Sequence, residues 1–300
     1  MQQLAVISGK GGTGKTSVVA SFAALTGETV LVDCDVDAAD LHLVLSPTLL
    51  ERHEFRSGHL AKIRQAECSF CGECMESCRF DAIKPAGDGF RYQVDPVACE
   101  GCRVCVEFCP VQAIDFEERT CGEWYISETS HGPMVHARLG IAAENSGKLV
   151  TTVRQAAQQI AEKRTKSLLL IDGPPGIGCP VIASITGTSF VLIVTEPTLS
   201  ALHDFDRVVS LTAHFRIPTA VCTNKWDLNP EITTRIEQTA RARNVSIAGR
   251  IRYDSAVTRA QVEGLSTVEY GGEAAEDIRE VWQRVRSYMT GLVQMSQRAG

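Results

Sequence analysis

The stretch Leu4-Ala5-Val6-Ile7-Ser8-Gly9-Lys10-Gly11-Gly12-Thr13-Gly14-Lys15-Thr16 decides the reading of this chain. Its apolar start reads as a buried strand, Leu4–Ser8, and the residues after the glycines read as a helix, Lys15–Leu25. Between them Gly9, Gly11, Gly12 and Gly14 allow backbone N–H groups to crowd around phosphate oxygens. Lys15 supplies positive charge to the β- and γ-phosphates and Thr16 offers a hydroxyl to Mg²⁺. The nucleotide-binding stretch therefore runs from Gly9 and Lys10 through Thr13 to Thr16 and Ser17.

Working outward, Thr29–Asp33 reads as a second parallel strand ending in acids. After His42 the pattern breaks at Ser46-Pro47, and Trp124–Ser127 and Val135–Leu139 have strand character. Gly147 to Lys163 carries helical spacing, and Ser167–Ile171 is an apolar strand ending at Asp172, where an aspartate holds Mg²⁺ directly or through water. Strands Phe190–Thr195, Thr219–Thr223 and Val245–Ala248 alternate with helices around 200–214, 229–243 and 274–294. Such alternation predicts an α/β fold with a parallel sheet and helices on both faces. Ligands of such sheets sit beyond the carboxyl ends of the strands.

Two cysteine runs interrupt this pattern: Cys68-x2-Cys71-x2-Cys74-x3-Cys78 and Cys99-x2-Cys102-x2-Cys105-x3-Cys109, the second followed by Pro110. They form an internal repeat, since Cys78-Arg79-Phe80-Asp81-Ala82-Ile83 aligns with Cys109-Pro110-Val111-Gln112-Ala113-Ile114. A zinc knuckle pairs two separated Cys-x-x-Cys units, whereas here three close gaps recur twice. The spacing is similar to that of bacterial two-cluster ferredoxins, in which the fourth cysteine of each run ligates the other run's cluster. That resemblance assigns Cys68, Cys71, Cys74 and Cys109 to one 4Fe-4S cluster, and Cys99, Cys102, Cys105 and Cys78 to a second. Arg79, where proline usually follows, would alter the exposure or potential of the cluster bound by Cys78 without removing a ligand. The expected organisation is an ATPase domain over 1–56 and 119–300, with an inserted two-cluster ferredoxin-like domain over 57–118.

Three hundred residues, 44% hydrophobic and 22% charged, suit a globular protein with a large core and a small insert. Nothing at Met1-Gln2-Gln3 resembles a signal peptide, and twelve cysteines fit a reducing cytoplasm with metal. A formal charge of −6 argues against a nucleic-acid backbone as partner. Between Cys68 and Phe116 the acids Glu73, Glu76, Asp81, Asp88, Asp95, Glu100, Glu107 and Asp115 outnumber the bases Arg79, Lys84, Arg91 and Arg103. That excess would steer a basic redox partner. In the last helix Val281, Trp282, Val285, Tyr288, Met289 and Leu292 form an apolar stripe read as docking on the sheet, so no stable membrane anchor is expected.

Lys10 is the discriminating residue of the loop. With it, the loop resembles the deviant Walker A signature of the MinD/ParA class, which includes the nitrogenase iron protein and Mrp-type iron–sulfur carriers. The resemblance covers nearly the whole chain and is closest to MinD-superfamily ATPases with an inserted ferredoxin domain. It also rests on Asp33-Cys34-Asp35-Val36-Asp37, Glu144-Asn145-Ser146-Gly147-Lys148-Leu149-Val150, Asp172-Gly173-Pro174-Pro175-Gly176-Ile177-Gly178-Cys179-Pro180 and Thr195-Glu196-Pro197-Thr198. It implies that Lys10 reaches across a dimer interface to the other subunit's phosphates and that Asp35 positions or activates the attacking water. Lys10, Lys15 and Asp35 are then the catalytic set, and Thr16 and Asp172 hold Mg²⁺. Asp33 and Asp37 would support Mg²⁺ or the switch conformation.

Asn224-Lys225-Trp226-Asp227 looks like a guanine-reading motif, yet in the class an asparagine here contacts adenine, so ATP is expected. Tyr253 lines the base or simply packs. Cys34 and Cys222 read as buried hydrophobes. Cys179 stands at the spacing of a cluster ligand in the nitrogenase iron protein, and a bridging site there would need a further cysteine such as Cys121. The resemblance implies a slow, partner-stimulated ATPase, homodimeric or paired with a paralogous ATPase. It would couple nucleotide-dependent dimer switching to electron transfer through two 4Fe-4S clusters, with a redox protein as partner. A cluster assembly or carrier ATPase, or a MinD-like positioning ATPase with structural or sensing clusters, are the alternatives.

Overall fold

The computed structural model of the chain describes residues 1–27, 29–87, 91–140 and 146–299, the last seven by their backbone alone. Asp88, Glu144 and Asn145, singled out above, lie outside the described residues. The chain divides into two units, Met1–His53 with Trp124–Arg138 and Ser146–Gly300, and Glu54–Glu123 with Leu139–Asn145.

Strand β1 (Gln2–Ser8), helix α1 (Lys15–Thr26), β2 (Thr29–Asp33) and the short α2 (Leu41–Leu45) open the first unit. The long strand β3 (Thr48–Ile63) carries the chain into the second, which holds α3 (Glu73–Glu76), β4 (Ile83–Pro85), β5 (Tyr92–Val94) and α4 (Val104–Glu107). Strand β6 (Ile114–Thr129) leads back to β7 (Gly132–Leu139), α5 (Ser146–Lys163), β8 (Leu168–Pro175), α6 (Cys179–Ile185) and β9 (Phe190–Thr195). The chain ends with α7 (Leu199–His214), β10 (Thr219–Asn224), α8 (Pro230–Ala242), β11 (Ser246–Ile251), α9 (Ser255–Val262), α10 (Thr267–Tyr270) and α11 (Glu273–Ala299).

Nine strands form one sheet in the order β11-β10-β9-β1-β8-β2-β7-β6-β3. From β11 to β7 every neighbour is parallel. The expectation of a parallel sheet is corrected at the far edge, where the sheet is mixed. There β6 and β7 are joined by only Ser130 and His131, a connection too short for a crossover. The Thr129 hydroxyl fixes that turn, donating to the Gly132 carbonyl at 2.7 Å and accepting the His131 N–H at 3.1 Å.

Other differences have local causes. Strand β8 continues past Asp172 to Pro175, because Gly173 has no Cβ to collide with Ile7 of β1, 2.6 Å from where that atom would stand. Strand β11 runs on to Ile251 through Gly249, whose φ of 147° absorbs a register shift against β10. Strand β3 was not anticipated at all. Its first half is exposed and carries Glu51, Arg52, His53 and Glu54, so it lacks the apolar alternation that announces a strand.

Helix α1 is buried on nearly every side, wedged between the sheet, α10 and α11. Phe22 on α1 meets Trp282 on α11 with ring centroids 4.7 Å apart. Val281, Val285 and Met289 join that core beside Leu4, Leu31, Leu170 and Leu192 of the sheet. The stripe of the last helix is thus spent on the core, each fully buried large side chain contributing about 1.5–3 kcal/mol. Among the described residues no helix is long and apolar enough to cross a membrane.

The second unit is built twice over. Each cysteine of the first run has its counterpart 31 residues later, as Cys68 has Cys99. The backbone repeats at the same offset: Phe70 and Gly101 have φ of 57° and 61°, Gly72 and Arg103 85° and 70°, Asp81 and Gln112 50° and 51°. The left-handed positions turn the chain sharply just before α3 and α4. The halves interlock, for Arg64 N–H donates to the Ala113 carbonyl at 2.8 Å and Asp95 N–H to the Ala82 carbonyl at 2.7 Å. The core of this unit is small: Ala61, Ile63, Ile83 and Ile114 pack with Cys74 and Cys105.

Candidate functional site

The loop after β1 stands at the carboxyl edge of the parallel strands. Gly12 and Gly14 have φ of 78° and 85°, and Gly14 caps α1 without a side chain. A Cβ on Gly14 would fall 2.3 Å from Asn224 Nδ2, and one on Gly9 2.5 Å from Asp204 Cβ, so the loop is packed as well as bent. Thr13 is buried and its hydroxyl has no partner among the described residues, a polar group suited to receiving an anion.

Beside it the ends of β2 and β8 bring acids together. Lys15 Nζ lies 3.1 Å from Asp172 Oδ1 and 3.6 Å from Asp35 Oδ2. Burial works against the Lys15 charge, but Asp172, Asp35 and Asp33 outweigh it and hold the ammonium above its usual range. Asp33 is fully buried, and burial together with Asp172 pushes its carboxyl well above the ordinary range. Burial also raises Asp35, tempered by Lys15. Asp35 and Asp172 both face the one ammonium of Lys15; among the described residues no three acidic, histidine or cysteine side chains stand grouped as a ready-made cage for a metal ion. Asp33 spends both oxygens on backbone N–H groups, of Asp35 at 3.0 Å and Leu41 at 3.3 Å, while Asp37 is exposed in the turn between them.

Lys10 is tied within its own chain, 2.6 Å from Glu196 Oε1 and bonded to the Thr198 and Ser200 hydroxyls at 3.2 and 3.3 Å. Asn224 is engaged at both ends of its amide: Nδ2 donates to the Thr13 carbonyl at 2.8 Å and Oδ1 accepts the Lys225 N–H. Lys225 Nζ donates to the Gly12 carbonyl at 3.3 Å. Tyr253 is exposed, and its backbone N–H donates to Asp227 Oδ1 at 2.7 Å. Ser17 accepts a hydrogen bond from Gln261 of α9 at 2.8 Å; Thr16 is half-buried at the start of α1. Sequence reasoning gave no role to Glu196 or Ser200, although Thr195-Glu196-Pro197-Thr198 stood out as a motif.

In the second unit the eight run cysteines line two cavities. One is bordered by Cys68, Cys71, Cys74 and Cys109. The other is bordered by Cys78, Cys99, Cys102 and Cys105. Each cavity therefore takes three thiols from one run and the fourth from the other. The remaining lining is mostly apolar, with Ile63 and Ile114 at the first and Ile83, Val94 and Phe116 at the second. Burial and the neighbouring Cys99 and Cys102 push the Cys105 thiol up to about 11, and burial raises Cys74 too. Cys71 and Cys102 are exposed.

The other four cysteines are separate. Cys34 and Cys222 are fully buried, and burial drives both thiols far up, as inert hydrophobes require. Cys121 is buried and donates to the Ser57 carbonyl at 2.9 Å. Cys179 is exposed at the start of α6.

Loop, buried acids and parallel strand ends together define a phosphate-loop nucleotide-binding α/β protein. The chain belongs to the CobQ/CobB/MinD/ParA nucleotide-binding domain family, whose model matches residues 4–268. It is 29% identical to uncharacterized protein MJ0578 of Methanocaldococcus jannaschii, over 96% of this chain and 98% of that protein. A ferredoxin of Alicyclobacillus acidocaldarius is 44% identical over 46 residues, 15% of this chain and 56% of the ferredoxin. In fold the chain is similar to the septum site-determining protein MinD of Pyrococcus horikoshii in complex with Mg-ADP, with a TM-score of 0.58, 18% identity and 95% of each chain covered. It is likewise similar to the MinC:MinD complex of Aquifex aeolicus, with a TM-score of 0.56, 16% identity and 96% of each chain covered.

Proposed function

We propose that this protein is an ATP-binding and ATP-hydrolysing iron–sulfur protein that couples nucleotide-dependent pairing of two subunits to electron transfer. The observation that carries the proposal is the grouping of thiols: each of two cavities is ringed by four cysteines, three from one run and one from the other. Three thiols from one run joined by the fourth of the other is the arrangement of two-cluster ferredoxins. The insert over 57–118 is then a two-cluster ferredoxin-like module, holding one 4Fe-4S cluster on Cys68, Cys71, Cys74 and Cys109 and the other on Cys99, Cys102, Cys105 and Cys78. When bound, such clusters supply one-electron transfer.

At the nucleotide site Lys15 and the backbone of Gly9 to Thr16, with Ser17 behind them, would bind the phosphates of ATP. Thr16 and Asp172 would hold Mg²⁺, Asp35 would orient the attacking water, and Lys10 would reach a second subunit's nucleotide. Asn224 and Tyr253 would contact the base. The motive for coupling is covalent: β3 and β6 run through both units, and β3 follows the Asp33–Leu41 segment after only α2. Coupling requires nucleotide to bind two conformations with different affinity.

The test is the reduction potential of both clusters in anaerobically purified protein, without nucleotide, with Mg-ADP and with a non-hydrolysable Mg-ATP analogue. A shift of ~30 mV or more for a one-electron cluster, about 0.7 kcal/mol, supports coupling. Unchanged potentials with rapid cluster transfer to an apo-protein would replace this reading by the carrier one.

A further inference from the structure

An ammonium group has three protons to donate. Around Lys10 Nζ stand three acceptors of the same chain: Glu196 Oε1 at 2.6 Å, Thr198 Oγ1 at 3.2 Å and Ser200 Oγ at 3.3 Å. The cradle is fixed, because Thr198 caps α7 by accepting the Ala201 N–H at 3.2 Å and Pro197 restricts the backbone beside it. Every donor of the lysine is therefore engaged at home. Lys10 and Glu196 keep 30% and 18% side-chain exposure, enough for another anion to compete for the lysine.

Glu196 has a second cation. Lys225 Nζ lies 3.6 Å from its other oxygen and is itself held by the Gly12 carbonyl at 3.3 Å. If Lys10 departs, the carboxylate keeps a partner, so release avoids the penalty of a partly buried uncompensated charge. That makes the Lys10–Glu196 contact exchangeable and the Lys225–Glu196 contact its support.

We propose that Glu196 is a positioning residue that holds Lys10 in cis as a surrogate for phosphate, so that pairing of two chains on ATP must exchange this carboxylate for the partner's phosphate oxygens. This rests on the reading of Lys10 as the lysine that acts across the subunit interface. Glu196 opposes pairing through its charge, while Thr198 and Ser200 contribute neutral acceptors to the same cradle.

The experiment is sedimentation velocity of the anaerobically purified full chain with a non-hydrolysable Mg-ATP analogue, for wild type, Glu196→Gln, Lys10→Ala and the double variant. Glu196→Gln should lower the dimer dissociation constant about three- to tenfold, the range expected for a partly buried charge pair. Lys10→Ala should abolish pairing, and in that background Glu196→Gln should have no effect, the non-additivity expected of contacting residues. Ser200→Ala should tighten pairing by a smaller factor and decides the matter if Glu196→Gln folds poorly. Pairing unchanged or weakened in Glu196→Gln and Ser200→Ala, while Lys10→Ala still abolishes it, overturns the latch and leaves the interface reading standing. Wild-type pairing by Lys10→Ala removes both.

Discussion

The carboxylate of Asp33 holds Asp35 by its backbone: Oδ1 accepts the Asp35 N–H at 3.0 Å while Oδ2 accepts the Leu41 N–H at 3.3 Å. One buried side chain thus ties both ends of the turn carrying Asp35 and Asp37. Asp33→Ala leaves two N–H groups without their acceptor, a loss of about 1–3 kcal/mol for each that stays buried. The expected result is hydrolysis lowered by about tenfold or more with nucleotide affinity changed little, because Lys15 and the glycine loop are untouched. Single-turnover hydrolysis beside equilibrium nucleotide binding checks it, and equal losses in both would assign Asp33 to the phosphate or Mg²⁺ site instead.

A histidine in the first unit makes stability fall in acid. His136 stacks between Tyr125, at 5.0 Å, and His42, at 6.0 Å, and its Nε2 is 2.9 Å from Ser127 Oγ. Burial, then the neighbouring His42, pushes it down to about 4 from the usual 6.5. The folded state therefore keeps the ring neutral while the unfolded chain takes up a proton. That stabilisation is present above pH 6.5 and is lost as pH falls from 6.5 towards 4. Between pH 7 and pH 5 the loss should be about 1–2 kcal/mol, with exposure of part of the ring discounted. Denaturant unfolding of wild type and His136→Phe at the two pH values should show a steeper loss for wild type; parallel losses would exclude this histidine.

How much of this was legible in advance depended on which residues carried the signal. Gly12, Gly14 and Lys15 announced the loop because backbone chemistry there demands those residue types, and the cysteine repeat was plain because ligands recur at fixed spacing. Strand β3 was not, since Glu51-Arg52-His53-Glu54 gives an edge strand no apolar period to read. The ends of β8 and β11 lie beyond the apolar runs that announce these strands, past Gly173, which permits close approach to Ile7, and Gly249, which permits a bulge. The Lys10–Glu196 contact joins residues 186 positions apart. Only tertiary structure brings them together.

The second unit should depend on its metal for structure. Its buried residues are few, and Cys74 and Cys105 are among them, so without clusters the apolar area that small core buries is marginal. Thiols such as Cys105, pushed up to about 11, are also protonated at neutral pH and must lose protons on loading. Removing iron should unfold residues 57–118 while the core around Phe22 and Trp282 persists. Hydrogen exchange on iron-free and loaded protein checks this, and protected amides in α3 and α4 of the iron-free chain would contradict it.

The sharpest prediction concerns Cys109, which belongs to the second run by sequence but shares a cavity with Cys68, Cys71 and Cys74. Cys78 is its mirror, lying in the first run and lining the cavity of Cys99, Cys102 and Cys105. Each cluster should lose its binding when any one of its four thiols is replaced, so iron should fall from about eight to about four atoms per chain in a single variant. Cys109→Ser should then give the low-temperature paramagnetic resonance spectrum and residual potential of Cys71→Ser, and Cys78→Ser those of Cys102→Ser. If Cys109→Ser instead matches Cys102→Ser, each run ligates its own cluster, and the interlocked halves joined through Arg64, Ala113, Asp95 and Ala82 would have to be reconnected.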